Sequence, residues 1–298
     1  MSAPAFVDWM QGVQSTMEAA LGEFLPADGT APQQLHAAMR YATLDGGKRV
    51  RPLLVFAAGD LFGAPAHLLA RAGAAVEMIH AYSLVHDDMP CMDDDALRRG
   101  KPTVHVKYGQ ATALLVGDAL QSQAFELLAD GSGDLDPARR LNMVQVLARA
   151  SGSLGMCGGQ AIDLASVGRQ LSLDALEQMH RLKTGALLRA SVLLGALCGS
   201  RLDADQHAAL DAYSAAIGLA FQVVDDVLDA TADSATLGKT AGKDAADNKP
   251  TYVSILGLDA SRELAQKLRA DAHAALAPFG DPARRLREIA DLIVQRKA

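Results

Sequence analysis

The sequence predicts an all-α, single-domain helical bundle, and three observations carry that prediction. Ala and Leu account for 98 of the 298 residues, against 18 Val and 6 Ile. Ala and Leu lead the helix scale while β-branched residues favour strands, so a large sheet is excluded. Apolar residues recur at helical spacing along nearly the whole chain, punctuated by Gly, Pro and Asp. Half of the residues are hydrophobic and 21% are charged, which excludes disorder and leaves ample material for a buried core. Aromatics are only 4%, so Leu, Ala and Met must do most of the packing. No repeat, low-complexity tract or linker divides the chain, and residues 1–298 are expected to form one unit.

The elements follow in order. Phe6, Trp9, Met10, Val13, Met17 and Leu21 place a first amphipathic helix over about 5–22. A second, from about Gln33 to Leu44, stops at Asp45-Gly46-Gly47. A third starts near Arg51-Pro52, where proline suits a first turn, and ends around Phe62-Gly63. A long apolar helix spans about Ala66 to Asp88 and is interrupted by Pro90. A polar loop from Asp93 to Pro102 leads to segments at about 103–108 and 111–129. Another helix follows Asp136-Pro137, and a Gly-rich stretch at 152–159 precedes a segment around Gln160. Long helices are expected over about 173–199 and 203–230, a loop over 231–250, and two closing helices near 259–277 and 282–296.

The net charge of −7 argues against a general nucleic-acid binder. Cys91, Cys157 and Cys198 are too few and too scattered for a disulfide framework or zinc site. No Lys or Arg precedes Arg40, so the start lacks the charged region of a secretory signal. No apolar run reads as reaching the ~18 residues of a membrane span. A reduced, cytoplasmic protein with no membrane anchor is the expectation.

Two aspartate clusters stand out against the apolar background. His86-Asp87-Asp88-Met89-Pro90-Cys91-Met92-Asp93-Asp94-Asp95 ends the fourth helix, and Phe221-Gln222-Val223-Val224-Asp225-Asp226-Val227-Leu228-Asp229 lies late in another. Asp225 and Asp229 are helical neighbours with Gln222 one turn earlier on their face; like charges at that spacing cost a few tenths of a kcal/mol. The negative end of the helix dipole adds to that cost, so a compensating cation is required. Carboxylate oxygens suit hard divalent cations, and Mg²⁺ typically takes one or two of them plus phosphate and water. A solvated acidic helix end explains either cluster alone about as well, but two such clusters in apolar surroundings make coincidence a poor account. Cations flank the same regions: Lys48, Arg49 and Arg51 after Gly46-Gly47, then Arg98, Arg99 and Lys101, then Lys239, Lys243 and Lys249. Each alone is an ordinary surface cation; together with the carboxylates they describe a metal-bridged polyphosphate site. No GxxxxGK[ST] occurs, so this is not a nucleotide P-loop.

Lys48–Pro52, Asp87–Gly100, Gly158–Asp163, Lys183-Thr184, Phe221–Asp229 and Leu237–Asp244 resemble the motifs of the trans-type polyprenyl diphosphate synthases, most of all the bacterial farnesyl diphosphate-forming group. The resemblance runs in order over about residues 40–260, and DDxxxxD followed by RRG with a distant FQxxDDxxD is a highly specific pair. It implies an isoprenoid synthase-type bundle around a deep central cavity, a homodimer, and three Mg²⁺ ions, with Mn²⁺ an alternative. It implies that Asp87 and Asp93 bind two ions and Asp225 the third, assisted by Asp88, Asp226 and Asp229. Arg98, Lys183 and Lys239 would hold the allylic diphosphate. Lys48, Arg51, His80 and Arg99 would hold isopentenyl diphosphate, and Thr184 and Gln222 would place oxygens near the allylic cation.

The implied reaction ionises the allylic substrate, dimethylallyl or geranyl diphosphate, lets isopentenyl diphosphate attack, and loses a proton. No nucleophilic side chain is needed, but water must be excluded. His80 lies two turns before Asp87 on the same face, which favours the site over the core. His86 has no such support and reads as structural. Tyr82, five residues before Asp87, is the expected chain-length stop, a role that rests on resemblance. Rival readings are a geranylgeranyl diphosphate synthase, a terpene cyclase, whose second motif normally carries Asn or Ser, and a non-enzymatic helical scaffold with divalent-ion sites. The scaffold gives no reason for Arg98-Arg99, Lys183-Thr184 and Gln222 beside the carboxylates.

Overall fold

The computed structural model of the protein describes residues 5–44, 46–131, 135–169, 171–231 and 250–296. Lys239, Lys243, Lys249 and the Leu237–Asp244 motif lie outside the described residues. The helices are α1 Phe6–Phe24, α2 Gln33–Thr43, α3 Val50–Leu61, α4 Ala66–Asp87, α5 Val104–Tyr108, α6 Gln110–Ala129, α7 Pro137–Ser151 and α8 Met156–Ser166. They continue as α9 Leu173–His180, α10 Ala186–Gly199, α11 Ala204–Thr231, α12 Tyr252–Leu256, α13 Leu258–Ala275 and α14 Arg284–Gln295.

Most boundaries fall within two or three residues of the periodicity reading, with local causes. Asp136 caps α7 through the Arg139 amide, with Pro137 in the first turn. Ser172 caps α9 through the Ala175 amide. Three features depart from expectation. The Asp93–Pro102 loop contains a two-stranded antiparallel ribbon, Leu97–Arg98 against Lys101–Pro102. The expected 173–199 helix contains a π turn, Arg181–Gly185, between α9 and α10. The short helix α12 lies between the expected 231–250 loop and the helix near 259–277, where no element is expected; Thr251 and Ser254 cap it reciprocally.

Helix α4 runs through the centre and packs against α6, α3, α10 and α1, while α11 packs against α13 and α10. Leu54, Ala72, Ala75, Met78, Leu120, Leu194 and Ile289 are among the fully enclosed side chains of one apolar cluster. The run Leu173–Gly199 is long and apolar enough to cross a membrane, against the sequence expectation. In the fold, 61% of its most apolar window is buried, and α10 lies between α3, α7 and α4 as a core helix.

Candidate active site

The site forms where α4 and α11 end. Asp87 is the last residue of α4, and the following loop folds back over it. The Asp93 amide donates to the Asp87 carbonyl at 2.8 Å and the Asp95 amide to the Asp88 carbonyl at 3.2 Å. Orphan carbonyls of the helix end are thereby satisfied by the acidic motif's own backbone. Gln160 of α8 donates through Nε2 to Asp87 Oδ1 at 2.8 Å. Burial pushes the Asp87 carboxyl up to about 6; Lys183 and Arg98 oppose this, and neighbouring Asp93 and Asp88 reinforce it. Asp88 is buried and clamped by Arg98, whose Nε reaches both oxygens at 2.8 and 2.9 Å and whose Nη2 reaches Oδ1 at 2.5 Å. The ribbon that follows the loop places Arg98 for that fork.

The second cluster is held from further along the chain. Asp226 accepts the Tyr252 amide at 2.8 Å and Gln222 Nε2 at 3.3 Å. Arg296 donates through Nη2 to Asp225 at 2.6 Å and to the Phe221 carbonyl at 2.7 Å, with its guanidinium 3.9 Å from the Phe221 ring centroid. Between the clusters lies the π turn. Lys183 Nζ contacts Asp163 Oδ2 at 2.5 Å, and Thr184 Oγ1 donates to Gln222 Oε1 at 3.2 Å. A π turn inside an α-helix often marks a functional site. Here a Cβ on Gly159 of α8 would collide with the Lys183 backbone, so glycine permits the close approach.

Cations gather on the α3 side. Arg49, in a left-handed conformation, is buried and pairs with Glu77 at 2.7 Å and Glu18 at 2.9 Å. Arg51 is pushed down by burial, with Glu77 and Asp225 opposing and Arg99 adding to the shift. Among the described residues its Nε has no hydrogen-bond partner. His80 is held well below its usual range by burial and by Arg51, Arg99, Arg98 and Arg49, so it is neutral among four guanidiniums. Arg99 donates to the Gly46 carbonyl at 3.1 Å, tying the ribbon to the loop before α3. A cavity of about 110 Å³ opens among these groups, lined by Tyr41, Glu77, His80, Asp88, Arg98 and Arg99. Its lining carries Arg49, Arg98, Arg99 and Lys101 against Glu77 and Asp88, an excess of positive charge that attracts a polyanion.

Residues 32–276 match the polyprenyl synthetase family. The chain belongs to that family. It is 56% identical over 286 residues to a probable farnesyl diphosphate synthase of Sinorhizobium fredii, spanning 94% of this chain and 85% of that one. It is 50% identical over 262 residues to the farnesyl diphosphate synthase of Escherichia coli, spanning 87% and 88%. The apo crystal structure of an FPP/GFPP synthase from Zymomonas mobilis superposes with a TM-score of 0.87 at 44% identity, covering 97% and 98%.

In this polyprenyl synthetase most of the expected residues gather around one region; Lys239 lies outside the described residues, and among these no side-chain contact ties Lys48 to the site. Electrostatic coupling joins them: Asp87 to Lys183 and Arg98, Asp225 to Arg51, and His80 to Arg51 and Arg99. Arg98 differs in detail from its expected part, because its Nε and Nη2 are directed at Asp88. Lys48 is exposed, and its carbonyl accepts from Gln14. Tyr82 is buried, with Oη 3.7 Å from Cys157 Sγ and its ring edge-on to His86. His86, half-buried, reaches the Leu114 carbonyl at 3.1 Å and so ties α4 to α6. Gln160, Asp163, Tyr252 and Arg296 received no role in the sequence reading. Gln160 and Asp163 stand inside a quoted motif, so their signal was present; Tyr252 and Arg296 are brought in by tertiary folding alone.

Proposed function

We propose that this chain is a farnesyl diphosphate synthase that condenses isopentenyl diphosphate with dimethylallyl or geranyl diphosphate. The observation that carries the reading is the juxtaposition of two carboxylate clusters with a separate set of cations, Arg51 and Arg99 around the neutral His80. One diphosphate is held at the carboxylates and the other at the cations, so the allylic carbon and the attacking double bond meet between them. Residues 1–298 are read as one synthase unit.

Mg²⁺, three ions in the family, fits the carboxylates present. Burial, with Asp93 and Asp88 adding to it, raises the Asp87 carboxyl, so an ionised carboxylate there is stabilised by a bound cation. Among the described residues no three Asp, Glu, His or Cys side chains form a metal cage, which suits an ion completed by diphosphate and water. Asp87, Asp93 and Asp225 would hold the ions, with Asp88, Asp226 and Asp229 assisting. When bound, the ions neutralise the diphosphate as it leaves.

The side chains do the rest. Lys183 lies beside the leaving diphosphate, and its contact to Asp163 fixes the ammonium before substrate arrives. Arg98 holds Asp88 and, with Lys239, is assigned to the allylic diphosphate. Lys48, Arg51, Arg99 and His80 bind isopentenyl diphosphate. Thr184 and Gln222, hydrogen-bonded to each other, present oxygens to the developing cation. The apolar walls from α4 and α6 exclude water from it.

Tyr82 is assigned as the stop for the growing chain. It lies about one turn and a half from Asp87 and packs against Cys157. A homodimer belongs to the same reading and rests on the family resemblance. The reading places the protein in the cytoplasm. The test is incubation with isopentenyl diphosphate, an allylic diphosphate and Mg²⁺, followed by chromatography of dephosphorylated products. A 15-carbon product supports the proposal, a 20-carbon product supports geranylgeranyl synthesis, and no condensation refutes both. Tyr82→Ala is expected to yield longer chains; an unchanged 15-carbon product places the floor elsewhere.

A further inference from the structure

His180 ends α9 and is buried, with neither ring nitrogen hydrogen-bonded among the described residues. Burial pushes its imidazole down to about 4, Asp163 opposing and Lys183 adding to the shift, so the ring is neutral. It stacks on Tyr252, with centroids 5.6 Å apart and planes 24° apart. Tyr252 is fully enclosed, and its Oη also has no partner among the described residues. Two buried aromatic rings that use none of their polar side-chain atoms are held there for their faces.

The stack closes a circuit through the site. The Tyr252 amide donates to Asp226 Oδ2, Asp226 Oδ1 accepts from Gln222 Nε2, and Gln222 Oε1 accepts from Thr184 Oγ1. Thr184 lies four residues after His180, across the π turn that carries Lys183. Every link is either a hydrogen bond, a ring contact or a short stretch of backbone. Around this circuit α9 packs on α12 and on α11, and the π turn packs directly on α11.

We infer that His180 and Tyr252 are positioning residues, an aromatic clamp that sets Asp226 and the π turn in register with each other. The inference rests on the assignment of the second acidic motif to metal and diphosphate binding. His180 and Tyr252 touch neither substrate nor ion; they fix the groups that do. Loss of ring stacking releases the Tyr252 amide from Asp226 and loosens Lys183 and Thr184 together. Loss of the polar atoms alone releases nothing.

The test is Mn²⁺ binding in the presence of inorganic pyrophosphate, followed by electron paramagnetic resonance of free Mn²⁺, beside steady-state kinetics. His180→Phe and Tyr252→Phe keep the stack and are expected to stay within twofold of wild type in Mn²⁺ affinity and kcat. His180→Leu and Tyr252→Leu keep bulk without a matching ring. They are expected to weaken Mn²⁺ binding about tenfold and lower kcat, with KM for isopentenyl diphosphate unchanged. Phe variants as impaired as the Leu variants overturn the clamp, whether or not the Leu variants fold. Leu variants that bind Mn²⁺ like wild type also overturn it. Wild type that binds no Mn²⁺ with pyrophosphate instead removes the metal reading on which the inference rests.

Discussion

The two acidic motifs share a residue pattern and are built in different ways. Asp87 and Asp88 end a helix, and most of their braces come from the next few residues, the Asp93 and Asp95 amides and the Arg98 fork, with Gln160 of α8 joining from 73 residues away. Asp225 and Asp226 lie within α11, which continues to Thr231, and their braces come from Tyr252 and Arg296, 26 and 71 residues away. A motif at a helix end caps its own carbonyls and organises itself. A motif inside a helix has its backbone bonds already satisfied, so only its side chains are free to be fixed, and by distant partners. The first is therefore a local structure and the second a product of the whole fold.

The largest expected effect is common to both. Asp87→Ala and Asp225→Ala should each lower kcat by about 10²–10³, the range for removing one electrostatic group from a reacting centre. Helicity by circular dichroism should be unchanged, and chelation of Mg²⁺ should abolish wild-type turnover. Full turnover in excess chelator, or loss of helicity parallel to loss of activity, would break the shared role.

A difference should appear when the braces are cut. Arg98→Ala leaves buried Asp88 without its bidentate partner. Removing one member of a buried pair costs about 3–5 kcal/mol, and with Arg98 a third exposed the expected loss is about 2–3 kcal/mol by urea unfolding. A loss below about 1 kcal/mol would mean that the fork does not organise the first motif.

The raised carboxyl at Asp87 gives a pH signature. Its value is about 6 in the folded chain against 3.8 for an ordinary aspartate, so the folded state binds this proton more tightly than the unfolded state. The stability contributed by the protonated group is present below about pH 4 and is lost as pH rises to about 6, after which it is flat. Asp87→Asn should remove that slope and leave the metal-free protein about 1–2 kcal/mol more stable at pH 8, allowing for partial exposure. Identical pH profiles for wild type and variant would contradict the buried-charge account.

The same contrast decides what was legible in the sequence. Helices α1 to α4 followed from periodicity and stop signals because amphipathic spacing and Gly-Gly or Pro breaks are local. The carboxylates of both motifs were legible as composition against an apolar background. The ribbon at Leu97–Pro102 was not, because two-residue strands carry no periodicity. The π turn was not, because Arg181–Gly185 reads as ordinary helix; its register is set by contact of Gly159 with the Lys183 backbone. The assignment of Arg98 to the allylic diphosphate does not foresee its pairing to Asp88, since spacing alone does not show which carboxylate a guanidinium takes. His180, Tyr252 and Arg296 look like ordinary residues until folding brings them to the second motif.

The smallest expected effect is the sharpest test of the comparison, because it measures a long-range brace at the same kind of carboxylate. Arg296 is itself nearly buried, but its partner Asp225 is 42% exposed, so water competes for the carboxylate. A pair of that kind is worth about 0.2–1 kcal/mol and weakens with salt. Arg296→Gln should cost about 1 kcal/mol, mostly from the lost bond to the Phe221 carbonyl and the lost contact with its ring. In a double-mutant cycle with Asp225→Asn, the coupling should stay below about 1 kcal/mol and shrink as salt is raised. The matching cycle of Arg98→Ala with Asp88→Asn should give about 2–3 kcal/mol with little salt dependence, since Asp88 is withdrawn from water. Equal couplings in the two cycles would mean that the difference between a local and a distant brace is one of sequence position only.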